Sequence, residues 1–240
     1  MSDWIKINGV SSEDMGIWVD TPPIPNMGHR RRTITQVGFD EDMSIAQDSY
    51  ENVRLTVTFY TMNGVLDRDD MYLNDDIYAY IADATTLETS RFEGWYYKVQ
   101  DVSEIVPVGT HNGRKVRYSV TFTVSPFKYK VNESGIALTS PYKYEGSIYG
   151  KPIISFTASG QVSIGCNGEH FLIYGFPDNT DIVVDSQRMM TTFNGELMDG
   201  NTMGKYPMLA VGWNILTVER YDVEPRVAVP AIITPNTRRR

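Results

Sequence analysis

Residues 181–230, DIVVDSQRMMTTFNGELMDGNTMGKYPMLAVGWNILTVERYDVEPRVAVP, decide the fold of the C-terminal half of the chain. Short apolar segments, such as residues 182–184 and 215–218, alternate with turn-forming groups such as Asn194-Gly195. Short segments rich in β-branched residues and separated by Asn, Gly and Pro are typical of β-strands joined by tight turns. No residue pattern in the stretch is typical of catalysis. The stretch therefore predicts a β-domain with a structural role.

The residues before this stretch extend the same pattern to the middle of the chain. Residues 152–158 predict a strand, and residues 161–166 and 169–174 predict a hairpin that turns at Asn167-Gly168. Residues 132–150 are polar, with scattered Gly and Pro, which is typical of a domain boundary. We therefore expect an N-terminal domain over residues 1–135 and a C-terminal sandwich of short strands over residues 136–240.

The N-terminal half is also mainly β, with one helix. Residues 53–60 and 114–124 alternate apolar and polar side chains, which predicts half-buried strands. Residues 75–84 predict a helix, with Asn74 as its N-cap and acidic residues in its first turn. One face of that helix is an apolar stripe formed by Ile77, Tyr80, Ile81 and Ala84. The predicted fold class is mainly β, in two domains.

Length, charge and cysteine content exclude several classes of protein. The chain has 240 residues, a net charge of −8 and a single cysteine, Cys166, so it has no internal disulfide. No stretch reaches the roughly 18–20 apolar residues that cross a bilayer, which predicts a soluble protein made in a cytoplasm. The acidic balance argues against a nucleic-acid-binding protein. The basic run 238–240 predicts a mobile tail.

No sequence motif predicts catalysis, a cofactor site or a metal site. The chain lacks a nucleophile elbow, a metalloprotease motif, a phosphate-binding loop and a dinucleotide fingerprint. Cys166 and His170 flank a predicted hairpin turn, so a Cys–His pair is one interpretation, but a buried apolar Cys166 fits the alternation better. The acidic runs at 67–70 and Asp75-Asp76 fit solvated or helix-capping roles. We expect no enzymatic activity.

Consecutive aromatic residues provide a better candidate site than any titratable group. Trp95, Tyr96 and Tyr97 lie in a predicted strand, so their side chains point to both faces of a sheet. Aromatic residues are enriched in protein interfaces, because they combine large apolar area with a polar group. We therefore predict a partner interface at these three residues.

The order of short motifs along nearly the whole chain resembles the distal tail (Dit) proteins of long-tailed, non-contractile phages, the siphophages. In the first half the resemblance rests on residues 7–10, 15–17, 50–60, the single helix and residues 122–127. In the second half it rests on residues 152–154, 182–185, 206–209, 212–214 and 225–226. Each motif is short, and the resemblance lies in their combination and order.

The resemblance implies a virion protein of the phage tail tip, assembled in the host cytoplasm. The N-terminal domain would be a belt domain, a β-sandwich with one helix and a β-hairpin, which closes into a homohexamer. The C-terminal domain would be galectin-like. The ring would be a baseplate hub that joins the tail tube protein and the tape-measure protein to the tail-associated tip protein. DNA would pass through its lumen, and receptor-binding proteins would dock on its periphery for host attachment.

A second function stays open for the C-terminal domain, which is binding of host cell-wall saccharide. Trp213 is the candidate stacking residue for such a ligand. It lies between Gly212 and Asn214 at a predicted turn into a strand, where an apolar plug of the core fits equally well. The sequence favours turn and core roles for residues 207–209 and 212–214.

Overall fold

The computed structural model of the chain describes residues 3–23, 25, 31–34, 43–46, 50–61, 75–111 and 115–239. The predicted cap Asn74, the acidic run 67–70 and the terminal Arg240 lie outside the described residues. The chain divides into two compact units between Val131 and Asn132. No helix among the described residues is long and apolar enough to span a bilayer.

The N-terminal unit is built around one curled antiparallel sheet and one helix. Its elements are β1 (Ile5–Ile7), β2 (Val10–Ser11), β3 (Ile17–Thr21), β4 (Arg31–Ile34), β5 (Met43–Ala46), β6 (Val53–Thr61), α1 (Asp75–Ala82), β7 (Thr86–Thr89), β8 (Trp95–Val102), β9 (Val106–His111) and β10 (Lys115–Lys130). The sheet has the order β2-β1-β7-β8-β10-β6-β3, β9 pairs with the start of β10, and β4 pairs with β5. Ile5 of β1 and Ile17 of β3 share one core although their strands lie near opposite ends of this order, so the sheet curls around that core.

Helix α1 forms as its sequence predicts and packs on the same core. Asp75 and Asp76 lie in its first turn, where negative charge stabilises a helix. Ile77 and Ile81, one turn apart, are both buried against the sheet. The helix ends at Ala82, two residues before the predicted end.

Strand β10 is longer than its sequence predicts. The pair Ser125-Pro126 predicts the end of a strand, because proline has no N–H to donate, yet β10 continues to Lys130. Its pairing with β8 shifts register between Val124 and Lys128, so Pro126 falls in an irregular part of the ladder where no N–H is required. The long strand therefore connects β6 and β8 into one sheet.

The C-terminal unit is a β-sandwich, as predicted. Its strands are β11 (Ile136–Ala137), β12 (Tyr142–Tyr144), β13 (Ile153–Ala158), β14 (Val162–Cys166), β15 (Glu169–Ile173), β16 (Thr180–Asp185), β17 (Met190–Phe193), β18 (Glu196–Leu197), β19 (Thr202–Gly204), β20 (Gly212–Asn214), β21 (Leu216–Arg220), β22 (Val227–Ala228), β23 (Ala231–Thr234) and β24 (Arg238–Arg239). One sheet has the order β11-β23-β13-β16-β17-β18, a second has the order β19-β15-β14-β21-β22, and β12 pairs with β20. Buried residues of both larger sheets, including Ile154 and Ile164, form a single core.

Asn-Gly pairs make the predicted tight turns. In Asn167-Gly168, φ is 51° at Asn and 90° at Gly, and in Asn194-Gly195 it is 49° and 86°. Positive φ at both central residues is the requirement of the hairpin turns that match strand twist. These turns set the register of β14 on β15 and of β17 on β18.

The prediction of a mobile C-terminal tail is wrong for Arg238. Its side chain is buried, and its backbone N–H donates to the Tyr144 hydroxyl at 3.0 Å. The guanidinium donates to the Tyr149 carbonyl and lies over the Tyr149 ring, 4.8 Å from its centroid. A basic run at a chain end is usually solvated. Here the carbonyl of Tyr149 and the phenol of Tyr144 compensate the burial of Arg238.

Buried tyrosines make the stability of the fold sensitive to alkaline pH. Burial raises the pKa of Tyr97 and of Tyr142 from 10.0 to about 12, and it also raises the pKa of Tyr144 and of Tyr80. A group whose pKa is raised by folding contributes stability in full below its unfolded pKa and loses it as the pH rises toward the folded value.

We therefore expect the thermal unfolding midpoint to be constant from pH 8 to about 9 and to fall steadily between pH 10 and about 12. The measurement is thermal unfolding by circular dichroism across this range, with tyrosinate absorbance recorded in parallel. A midpoint that does not change up to pH 12 would contradict the burial of these phenols.

Candidate functional site

The C-terminal unit carries an exposed apolar segment, here called the apolar loop, which consists of residues 208–215. Four of its large side chains are more than half exposed: Met208 at 52%, Val211 at 57%, Trp213 at 68% and Ile215 at 66%. Asn214, between Trp213 and Ile215, is only 1% exposed. A sheet that is solvated on one face normally buries apolar residues and exposes polar ones. The apolar loop inverts that pattern.

Asn214 is buried because its side chain holds the apolar loop in shape. Its amide nitrogen donates to the carbonyls of Ala210 and Gly212, both at 2.9 Å. Its amide oxygen accepts from the N–H of Ala210 at 2.8 Å and from the Asn167 amide at 2.7 Å. Asn167 in turn accepts from the N–H of Ile215 at 2.9 Å. A buried amide with this many partners fixes the backbone around it.

Further contacts anchor the first part of the apolar loop. Leu209 is fully buried, and it exchanges backbone hydrogen bonds with Gly150 at 2.8 and 2.9 Å. The Cys166 thiol donates to the Met208 carbonyl at 3.2 Å. Gly212 has φ of 92°, a conformation that side-chain-bearing residues rarely adopt. The exposed apolar side chains are therefore presented from a fixed backbone.

The interpretation of Trp213 as an apolar plug of the core is wrong. The sequence predicts a turn at residues 212–214, but these residues form β20, in which Trp213 lies opposite Lys143 of β12. Strand alternation then directs Asn214 inward and Trp213 outward. The sequence feature that indicates an outward Trp213 is Asn214, a polar residue that lies between two large apolar residues in a strand.

Cys166 and His170 do not form a catalytic pair. Cys166 lies opposite Glu169 and His170 lies opposite Gly165, so the two side chains point to opposite faces of the sheet. Cys166 is buried, and burial raises the pKa of its thiol, which disfavours the nucleophilic thiolate. His170 is exposed, with Nδ1 3.2 Å from the Ser163 hydroxyl. Cys166 is therefore a small core residue.

The aromatic residues at the start of β8 separate into two groups. Tyr97 is 3% exposed and packs in the core of its own unit, so it leaves no surface for a partner, which corrects its assignment to an interface. Tyr96 points to the other face and stacks on Tyr129, with ring centroids 5.7 Å apart. Trp95 and Tyr96 are half-buried and remain predicted interface residues.

No cluster of titratable residues resembles an active site in the described ranges. They contain no group of three or more His, Cys, Asp or Glu side chains that could hold a metal ion. An open groove beside α1 is lined by Tyr78, Asp101 and Glu104 among others. A second open groove lies over Ser155, Val183 and Ile232. In the second groove the exposed Thr157 hydroxyl donates to the Asp181 carboxylate at 2.7 Å, and no described histidine lines either groove.

Comparison with known proteins finds a match at the level of the fold. No known protein-family model matches the sequence, and no curated protein matches it. The crystal structure of the Dit (gp 19.1) protein of phage SPP1 superposes with a TM-score of 0.70 and 14% sequence identity. The match covers 97% of this chain and 98% of that one. The chain therefore has the fold of SPP1 Dit, which confirms the fold that the sequence resemblance implied.

Proposed function

We propose that the chain is a distal tail protein, a structural hub of the adsorption apparatus of a siphophage. The observation that carries this proposal is the extent of the fold match, which leaves almost no residue of either chain outside it. The matched protein is described as a paradigm of the hub adsorption apparatus in phages that infect Gram-positive bacteria. A likeness over both units includes the order in which they are joined. It is therefore more specific than a likeness between single sandwiches, which serve many functions.

In this proposal the two domains have different roles. Residues 1–135 form the belt domain that assembles the homohexamer, and residues 136–240 form a galectin-like domain. The N-terminal sheet supports ring closure, because its order ends at β2 and β3 among the described strands, and closed assemblies cover strand edges. The net charge of −8 suits a lumen through which DNA passes without being bound.

The proposed partners follow from the position of such a hub. The ring contacts the tail tube protein and the tape-measure protein on one side and the tail-associated tip protein on the other, with receptor-binding proteins at its periphery. Assembly in the host cytoplasm suits a chain whose single cysteine is buried as a free thiol. A structural role is also compatible with the described residues, among which no cluster of titratable side chains resembles an active site.

A hexamer is the first testable consequence. We expect the purified protein to elute with the mass of a hexamer in light scattering and to form rings in negative-stain images. The ring form should persist in dilution series at physiological salt. A protein that stays monomeric at high concentration would contradict the proposed role.

Saccharide binding by the C-terminal unit is the second candidate function. The observation in its favour is the exposure of Trp213, at 68%. An exposed indole on a fixed backbone can stack on a sugar ring. What decides between a saccharide and a protein ligand is the chemistry of the side chains around that indole.

A further inference from the structure

We propose that residues 236–238 form a latch, which fastens the start of the C-terminal unit to the sandwich and can release it. The stretch that the latch fastens, here called the linker segment, consists of residues 133–149. The latch and the linker segment open together, while the rest of the sandwich stays folded. The inference concerns a movement within one unit, so it does not depend on the proposed function.

The latch is hydrogen-bonded to the linker segment at both of its ends. The backbone N–H and the hydroxyl of Thr237 both donate to the Glu133 carboxylate. The backbone N–H of Arg238 donates to the Tyr144 hydroxyl at 3.0 Å, and its carbonyl accepts from the N–H of Ser147 at 3.0 Å. Hydrogen bonds to a charged group contribute more than bonds between neutral groups. The pair of bonds to Glu133 is therefore the strongest point of the latch.

The linker segment has few other attachments to the sandwich. Its strands are short, with two residues in β11 and three in β12, whereas β13 and β16 pair over six residues. Within residues 133–149, Tyr144 is the single buried hydrophobic residue, and Leu138 and Tyr142 pack on the core only in part. Segments with short ladders and few buried apolar contacts open at a lower free-energy cost than core strands. The linker segment therefore opens more easily than the sandwich behind it.

Tyr144 couples the opening of the linker segment to that of the latch. Its side chain is 1% exposed, and a Cβ atom added to Gly146 or Gly150 would lie 2.4 or 2.8 Å from its ring. Its hydroxyl accepts from the N–H of Arg238, whose guanidinium donates to the Tyr149 carbonyl. A ring enclosed this closely by backbone leaves its pocket only when that backbone moves. The contacts of the latch and of the linker segment therefore break together.

Opening changes the length of free chain between the two units. With the latch closed, the first fastened residue, Glu133, follows the end of the N-terminal unit at Val131 by two residues. With the latch open, the next fastened strand is β13, which begins at Ile153. A free chain of about 20 residues spans at most ~70 Å when it is extended. The latch therefore sets the reach of the chain that joins the units.

The test is hydrogen exchange of the intact protein, measured by mass spectrometry under conditions in which the exchange rate follows the opening equilibrium. The reporters are the backbone N–H groups of Leu138 and Ser147, which are hydrogen-bonded in different parts of the linker segment. In Glu133→Ala we expect both to exchange at least tenfold faster, and by the same factor, because the two donors of Thr237 lose their acceptor. The N–H groups of β13 and β16 should exchange at unchanged rates.

The matched control is Glu145→Ala, which removes an exposed carboxylate from the same linker segment. We expect it to leave the exchange of both reporters unchanged. Thr237→Val removes the hydroxyl donor from the other side of the Glu133 contact and keeps the shape of the side chain. It should accelerate both reporters as Glu133→Ala does, by a smaller factor, and it carries the test if Glu133→Ala does not fold.

Three results would overturn the inference. Faster exchange at residues 237–238 alone would show that the contacts of the latch and of the linker segment break independently. Equal acceleration in β13 and β16 would show that the unit opens only as a whole. An effect of Glu145→Ala as large as that of Glu133→Ala would show that loss of negative charge, and not loss of the contact with Thr237, controls the opening.

Discussion

Replacing Asn214 by alanine is expected to lower the free energy of unfolding of the C-terminal unit by about 3 kcal/mol. The substitution removes an amide that is 1% exposed and has four hydrogen bonds. It leaves the N–H and C=O groups of Ala210 and the carbonyl of Gly212 without that partner. Buried polar groups that lose their partners cost more than an average hydrogen bond contributes.

The measurement is urea unfolding followed by circular dichroism, with the midpoint and the slope fitted for the transition of this unit. The matched control is Trp213→Ala at the neighbouring position. Because that side chain is 68% exposed, its removal should change the free energy of unfolding by less than about 0.5 kcal/mol. If the two variants unfold at the same urea concentration, Asn214 does not organise the loop as its contacts indicate.

Deleting residues 236–240 is expected to have an effect at least as large, about 4 kcal/mol, on the same unit. Tyr144 is 1% exposed, and its hydroxyl would lose the N–H of Arg238. Glu133 would lose the backbone N–H and the hydroxyl of Thr237, and the Lys151 carbonyl would lose the Asn236 amide. Residues 236–238 are therefore part of the C-terminal unit and not a tail.

The deletion is measured by thermal and urea unfolding beside Tyr144→Phe, which removes only the phenol oxygen. That variant should lose about 1 kcal/mol, since the ring stays in place. A truncated protein with the unfolding curve of the intact chain would show that these bonds contribute nothing. If the truncated protein is insoluble, Thr237→Ala is measured in its place. Its loss in free energy of unfolding should lie between the losses expected for the deletion and for Tyr144→Phe.

Local patterns in the sequence were sufficient to predict most of the strands, the helix and the tight turns. Strict alternation at Val53, Leu55, Val57 and Phe59 gave a strand whose alternate side chains are buried. Asn-Gly pairs gave turns with positive φ, because few other dipeptides adopt that conformation at low cost. Trp95, Tyr96 and Tyr97 lie in a strand, β8, as predicted. These features depend on neighbouring residues, so sequence reasoning could find them.

The candidate site could be predicted only in part. Trp95, Tyr96 and Tyr97 have similar chemistry, but Tyr97 packs in the core, whereas Trp95 and Tyr96 are half-buried. The sequence singled out Trp213, around which the structure places the candidate site. It did not predict that the Trp213 side chain is exposed. Which face of a strand is buried depends on the strand's partner, and β12 is distant from β20 along the chain.

By itself, the sequence determined that the chain is mainly β, where most of its strands lie, and that its motifs follow the order found in distal tail proteins. Alternation, turn pairs and the apolar stripe of α1 act over a few residues, so they can be read without the fold. Only the tertiary structure decided that Arg238 is buried, that β10 continues through Pro126 and that Trp213 faces outward. Each of those outcomes depends on contacts between residues far apart in the chain, where a buried polar partner or a shifted register outweighs the local preference.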